Sequence, residues 1–105
     1  MALTRGVSPA FAHCELTHLE RQPIDLGRAE RQHEAYERAL GRLGCRTLRL
    51  PAHESLPDCV FIEDTAIVLD ELAVITRPGA PSRRAEVDAV ARALAPLREL
   101  RHVEA

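Results

Sequence analysis

Three carboxylates stand in and beside an apolar, β-branched run: Pro57–Asp58–Cys59–Val60–Phe61–Ile62–Glu63–Asp64–Thr65. An acid inside such a run is costly to bury unless a cation meets it. About ten residues further on lies Ile75–Thr76–Arg77–Pro78–Gly79–Ala80–Pro81–Ser82–Arg83–Arg84. Its arginines fall in a turn and a first helical turn, where the macrodipole costs a cation about 0.3–1 kcal/mol. Free backbone N–H groups at a helix start attract anions, and an arginine beside them makes a carboxylate or phosphate site. One site that reads both ends of a small zwitterionic cation accounts for both segments together.

The competing reading is plainer. Asp58 caps a turn after Pro57, Glu63 and Asp64 lie in a solvated loop, and Arg83 and Arg84 are surface cations paired with Glu86 or Asp88. Geometry separates the two. On a straight strand at roughly 3.3 Å per residue, Asp58 and Asp64 stand about 20 Å apart, beyond one small ligand. A shared site therefore demands a bend, expected in the Glu63–Asp64–Thr65 segment.

Other chemistry is thinly represented. His13, Cys14 and His18 lie close in sequence, with His33, His53 and Cys59 elsewhere, but the spacing matches no strong zinc pattern. Cys14 beside His13 and Cys59 beside Asp58 come nearest to a nucleophile, and neither spacing supplies a thiol with a positioned base. There is no glycine-rich phosphate loop and no triad signature. With 3% aromatic residues and a formal net charge of −2, the chain offers neither a stacking platform nor a basic field, so no nucleic-acid or membrane partner is expected. The three cysteines, Cys14, Cys45 and Cys59, form no C-x-x-C pair and suit reduced thiols in a cytoplasm. No apolar run approaches a membrane span, and no signal-peptide pattern opens the chain.

The elements that must position these residues form an α/β pattern. At 105 residues, 46% hydrophobic and 29% charged, the chain is expected to make one small domain with a real core. Residues 25–43 predict a helix, with Asp25 as cap, Leu26, Ala29, His33, Tyr36, Leu40 and Leu43 on one face, and Gly44 as the stop. Cys45 to Leu50 reads as a short strand ended by Pro51. Val60 to Leu69 and Leu72 to Thr76 predict a hairpin around Asp70–Glu71. Ser82 is expected to cap a second helix carrying Val87, Val90, Ala91, Leu94 and Leu97 on one face. Leu100 to Val103 starts another strand.

These segments, with Arg28–Ala29–Glu30–Arg31–Gln32–His33 and Leu50–Pro51–Ala52–His53–Glu54–Ser55–Leu56, closely resemble the N-terminal part of the dimethylarginine dimethylaminohydrolases. That family belongs to the guanidine-modifying superfamily with the arginine deiminases and amidinotransferases. The resemblance runs from about Leu16 to Val103, and its core is D-C-V-F-I-E-D-T followed by I-T-R-P-G-A-P-S-R-R-x-E-V. It implies a five-bladed α/β propeller of ββαβ units, of which residues 1–105 supply the first blade and the beginning of the second. It also implies hydrolysis of Nω-methylated arginine to citrulline and an alkylamine through a cysteine thiolate, with no cofactor and no metal. By resemblance, Asp58 contacts the substrate's α-amino end, Glu63 and Asp64 its guanidinium, and Arg83 its α-carboxylate. Leu16, followed by Thr17 in a lid-like loop, resembles the residue whose carbonyl faces the α-amino group. The family's histidine, its acidic partner and its nucleophilic cysteine come later than Ala105, and none of the three cysteines here falls at the nucleophile's place. The resemblance therefore implies a substrate-binding part without catalytic residues, and an uncovered blade prone to self-association. An arginine deiminase, or a non-catalytic remnant that binds arginine-like ligands, remains open on the same residues.

Overall fold

A computed structural model describes residues 1–14 and 23–104. Leu16, Thr17 and His18 lie outside the described residues. The chain divides into two compact units, Met1–Val60 and Phe61–Ala105.

The first unit is a βαβ arrangement. Strand β1 (Ala2–Arg5) pairs in parallel with β2 (Thr47–Leu50), in register from Ala2 against Thr47 to Arg5 against Leu50. A parallel pair needs a long crossover, and helix α1 (Leu26–Arg42) lies within it. The Asp25 side chain accepts from the Arg28 backbone N–H at 3.0 Å, the N-cap expected from sequence. At the other end Gly44 takes φ = 91°, the left-handed conformation that releases a helix and that glycine adopts without strain.

The six positions aligned along α1 do not form a buried seam. No residue of α1 is buried, and Tyr36 and Leu43 are 56% and 81% exposed. Polar contacts link the helix to its sheet instead. Thr4 Oγ1 donates to Glu37 Oε2 at 3.1 Å, and Arg49 Nη1 and His33 Nε2 stand 3.3 and 3.2 Å from Glu37 Oε1. The segment after β2 is sutured to the segment after β1. Arg5 Nε donates to the Pro51 carbonyl at 3.0 Å, and Ser8 Oγ donates to the His53 carbonyl at 2.6 Å. Gly6 permits this approach: a Cβ there would stand 3.3 Å from the Ala52 Cβ and 3.1 Å from Arg49 Nη2.

The second unit has the expected ββαβ order. Strands β3 (Ala66–Val68), β4 (Leu72–Ile75) and β5 (Glu99–His102) form a sheet in that spatial order. β3 and β4 make the antiparallel hairpin around Asp70–Glu71, and β5 runs parallel to β4 along its whole length. Between β4 and β5 come a 3-10 helix (Pro81–Glu86) and α2 (Val87–Leu94). Alternation on β4 buries Ala73 and Ile75, and the i,i+4 pair Val90 and Leu94 on α2 supplies the facing apolar stripe. Ile67, Val68 and Leu69 at the sheet's edge are half exposed or more.

Further details differ: Leu97, expected on the apolar face of the second helix, lies past the end of α2 and is 41% exposed. The strand foreseen from Val60 begins only at Ala66, because the Thr65 N–H and Oγ1 both donate to the Ile62 carbonyl and close a 3-10 turn over Ile62–Asp64. Ser82 is not the cap of the second helix. Pro81, with its fixed φ and missing N–H, opens a six-residue 3-10 helix after Ala80, and Ser82 lies inside it.

Ile75→Ala is expected to cost about 2–5 kcal/mol, because it opens a cavity between β4 and α2. Tyr36→Ala on the exposed face of α1 is expected to change stability by no more than about 0.5 kcal/mol. Urea denaturation of both variants, with the midpoint compared at constant slope, checks the contrast.

Candidate functional site

The second unit contains a polar cluster of Asp64, Thr76, Arg83 and Glu86, which draws on two pieces of 3-10 helix, Ile62–Asp64 and Pro81–Glu86, that lie on either side of β3 and β4 in the chain. In a 3-10 helix, side chains three residues apart eclipse one another. That places Glu86 directly over Arg83. Arg83 Nε donates to Glu86 Oε2 at 3.0 Å and Nη2 donates to Oε1 at 2.9 Å, a two-point pairing of guanidinium and carboxylate. Glu86 is only 1% exposed, and the Arg83 side chain 15%.

From this anchor Arg83 spans the other 3-10 turn. Nη1 donates to Asp64 Oδ2 at 2.9 Å, and Nη2 donates to the Phe61 carbonyl at 3.0 Å. The turn that carries Glu63 and Asp64 is thus gripped just before its start and at its last residue. It is braced again from the sheet: Thr76 Oγ1 donates to the Asp64 carbonyl, and the Thr76 N–H donates to the Thr65 carbonyl at 3.0 Å. Glu63 and Asp64 are exposed on a backbone fixed on both sides, and the Asp64 side chain stays 60% exposed although its Oδ2 is paired with Arg83.

Of the predicted site residues, Asp64 and Arg83 meet directly, although the resemblance assigns them to opposite ends of a ligand. Glu63 stands beside Asp64 on the same turn. The run from Asp58 to Thr65 is not a straight strand, since a 3-10 turn covers Ile62–Asp64. Asp58 belongs to the first unit, where it is 4% exposed in the turn after Leu56. Leu16 lies outside the described residues. Arg84 has a local duty: Nε donates to the Pro78 carbonyl at 3.0 Å and closes the Pro78–Gly79 turn.

Sequence reasoning named Glu86 only as a possible surface partner. The pairing with Arg83 was thus one of the alternatives, and what was missed is the burial of Glu86. The signal available was the three-residue spacing between Arg83 and Glu86, which makes the two neighbours in an α-helix and eclipses them in a 3-10 helix. The brace from Thr76 had no sequence signal, because it depends on strand register. A cleft of about 140 Å³ in the same unit is lined by Thr76, Arg77, Arg84 and His102 among others, and none of the predicted site residues borders it. Among the described residues, no helix is long and apolar enough to cross a membrane.

No protein-family model matches the chain. Solved structures do. Dimethylarginine dimethylaminohydrolase from Pseudomonas aeruginosa, complexed with citrulline, superposes with a TM-score of 0.91 at 32% identity, over 98% of this chain and 41% of that one. The N-terminal domain of ArgZ, a cyanobacterial arginine dihydrolase, gives a TM-score of 0.74 at 15% identity, over 97% of this chain and 39% of that one, and shares the fold alone. The α/β elements are those of part of a pentein propeller, the fold of the guanidine-modifying enzymes. In sequence the chain is 47% identical over 96 residues to the dimethylarginine dimethylaminohydrolase of Streptomyces coelicolor, across 91% of its own length and 37% of the relative's. Within the pentein class the chain belongs with the dimethylarginine dimethylaminohydrolases, and it spans between a third and about two fifths of the length of these two.

Arg83→Met is expected to destabilise the second unit by about 3–5 kcal/mol, since it strips a buried carboxylate of its guanidinium. Adding Glu86→Gln to that variant is expected to recover part of the loss, because the stranded charge goes with it. Urea melts of the parent, the two single variants and the double variant measure this. Additive losses would mean that the pair is not coupled.

Proposed function

We propose that this chain supplies substrate-binding residues of an enzyme that hydrolyses Nω-methylated arginine to citrulline and an alkylamine. The observation that carries the reading is the braced Ile62–Asp64 turn, which holds two adjacent acidic residues exposed on a fixed backbone. With Asp64, Arg83 and Glu86 ionised, one cation and two anions give a cluster of net charge −1, and Glu63 adds another negative charge beside it. Such a site favours a cation. A guanidinium is permanently charged and presents a planar fork that carboxylates match at two points.

In this reading Glu63 and Asp64 bind the substrate's guanidinium and Asp58 its α-amino group, with the Leu16 carbonyl on the same group. Arg83, held on its Nε edge by Glu86, serves Asp64 and the α-carboxylate from its terminal nitrogens. Fixing both ends of the ligand holds the guanidinium carbon in place for attack. The Pseudomonas relative complexed with citrulline supports a small amino-acid ligand of this kind. Attack itself needs a nucleophile and a proton shuttle. Asp58, Glu63, Asp64 and Arg83 provide neither, and residues 1–105 are read as the N-terminal part of a larger propeller domain in which other segments provide them.

A second reading is an arginine deiminase or another guanidine-modifying relative, whose guanidine substrate the same carboxylates would suit. A non-catalytic remnant that folds by self-association or binds arginine-like ligands is the third. The cysteines Cys14, Cys45 and Cys59, read as reduced thiols, suit a reducing cytoplasm. The exposed Ile67, Val68 and Leu69 on an edge strand suit self-association.

The purified 105-residue chain is expected to release no citrulline from asymmetric dimethylarginine above a buffer blank. It is expected to bind that ligand more tightly than citrulline, which lacks the cationic guanidinium, and Asp64→Asn is expected to remove most of the difference. Calorimetric titration measures the binding, and titration with unmethylated arginine separates the first reading from the second. Turnover by the short chain, abolished by Cys14→Ser or Cys59→Ser, would place the nucleophile within these residues and overturn the reading.

A further inference from the structure

We infer that Glu86 is a positioning residue of the guanidinium site, acting on Asp64 through Arg83. The inference deepens the reading given above and rests on it for the identity of the ligand. Its geometry stands independently.

Glu86 lies where the 3-10 helix runs into α2, with φ −64° and ψ −27°, and its side chain makes no capping bond to the first N–H groups of α2. Its carboxylate points instead at Arg83, with one oxygen on Nε and the other on Nη2. A carboxylate buried to 1% exposure is poorly explained as a source of stability, because an apolar side chain of similar volume does as well. What the pairing supplies is direction.

Arginine is a long side chain with about 2 kcal/mol of rotamer entropy, and a single contact leaves its plane undefined. Two parallel bonds to Glu86 define that plane. The remaining edge then reaches Asp64 Oδ2 and the Phe61 carbonyl together, on either side of the Ile62–Asp64 turn. The Asp64 side chain is 60% exposed, and Arg83 is the one cation the structure places against it among the described residues. Its carboxylate orientation is therefore set from the buried side, by Arg83, and Arg83 is set by Glu86. Glu86 itself touches no ligand.

The test uses the 105-residue chain and Glu86→Gln, which keeps the side chain's size and removes its charge. Three quantities are read: the Arg83 Nε–Hε signal by nitrogen-15 NMR, the amide shifts of residues 61–64, and the affinity for asymmetric dimethylarginine. In the parent chain the Nε–Hε proton is expected to exchange slowly. In Glu86→Gln that protection is lost, the 61–64 amides shift, and affinity falls on the order of tenfold or more, as for a misplaced binding group.

A thermodynamic cycle separates positioning from general support of the fold. In an Arg83→Met background, Glu86→Gln is expected to cost no further affinity, and this double variant also serves if Glu86→Gln alone does not fold. An equal loss in both backgrounds, or an unchanged Arg83 signal in Glu86→Gln, overturns the inference. If the parent chain does not bind the ligand at all, the functional reading fails, while the Nε–Hε and amide measurements still decide whether Glu86 sets the turn. If Asp64→Asn weakens binding and Glu86→Gln does not, the functional reading stands and the positioning role falls.

Discussion

The buried pairing of Arg83 with Glu86 is the contact on which the site's geometry depends. Neither partner is well placed alone. A carboxylate removed from water needs a cation with matching geometry, and an arginine with 15% exposure needs acceptors for its donors. Each meets the other's need because a 3-10 helix stacks residues three apart. In an α-helical turn residues three apart are also neighbours, but offset around the axis rather than eclipsed. The local backbone path at Pro81–Glu86 therefore sets how squarely the two side chains meet, and Pro81, with no N–H to satisfy, suits the start of that segment.

The anchor leads to a division of labour around one short turn. Arg83 grips the Ile62–Asp64 segment from the helix side, and Thr76 grips it from the end of β4. Backbone groups absorb most of these contacts: the Phe61 carbonyl, the Asp64 carbonyl and the Thr65 carbonyl. Glu63 and Asp64 are left exposed. Fixing backbone and leaving charge exposed is the arrangement expected of a binding turn, since the ordering cost is met before a ligand arrives. A turn that served only to join two elements would need none of these braces.

The two units differ in how they are held. In the second, apolar alternation on β4 meets an apolar stripe on α2, with Ala73, Ile75, Val90 and Leu94 buried. In the first, the contacts between α1 and its sheet include the Thr4, His33, Glu37 and Arg49 group, and the helix buries no residue. Of this group only the Arg49 side chain is well solvated, at 45% exposed, while those of His33 and Glu37 are 11% and 14% exposed. The apolar positions along α1 are real in the sequence, but periodicity reports only that a face exists. It does not report what lies against that face.

The amino-acid sequence by itself determined the α/β class, the extent of α1 with its Asp25 cap and Gly44 stop, and the hairpin between β3 and β4. Each of these arises from local propensity and spacing, which act over a few residues. The motif segments also sufficed for the family, because a long ordered string of residues is specific without any coordinates. The direct contact of Asp64 with Arg83, 19 residues apart, lay beyond such reasoning. So did the burial of Glu86 and the brace from Thr76. Those depend on which strands pair and in what register, and on a 3-10 rather than α-helical path after Ala80. Composition constrains such choices only weakly. Tertiary structure decided them because a buried charge is tolerable only where distant parts of the chain bring its partner within hydrogen-bond distance.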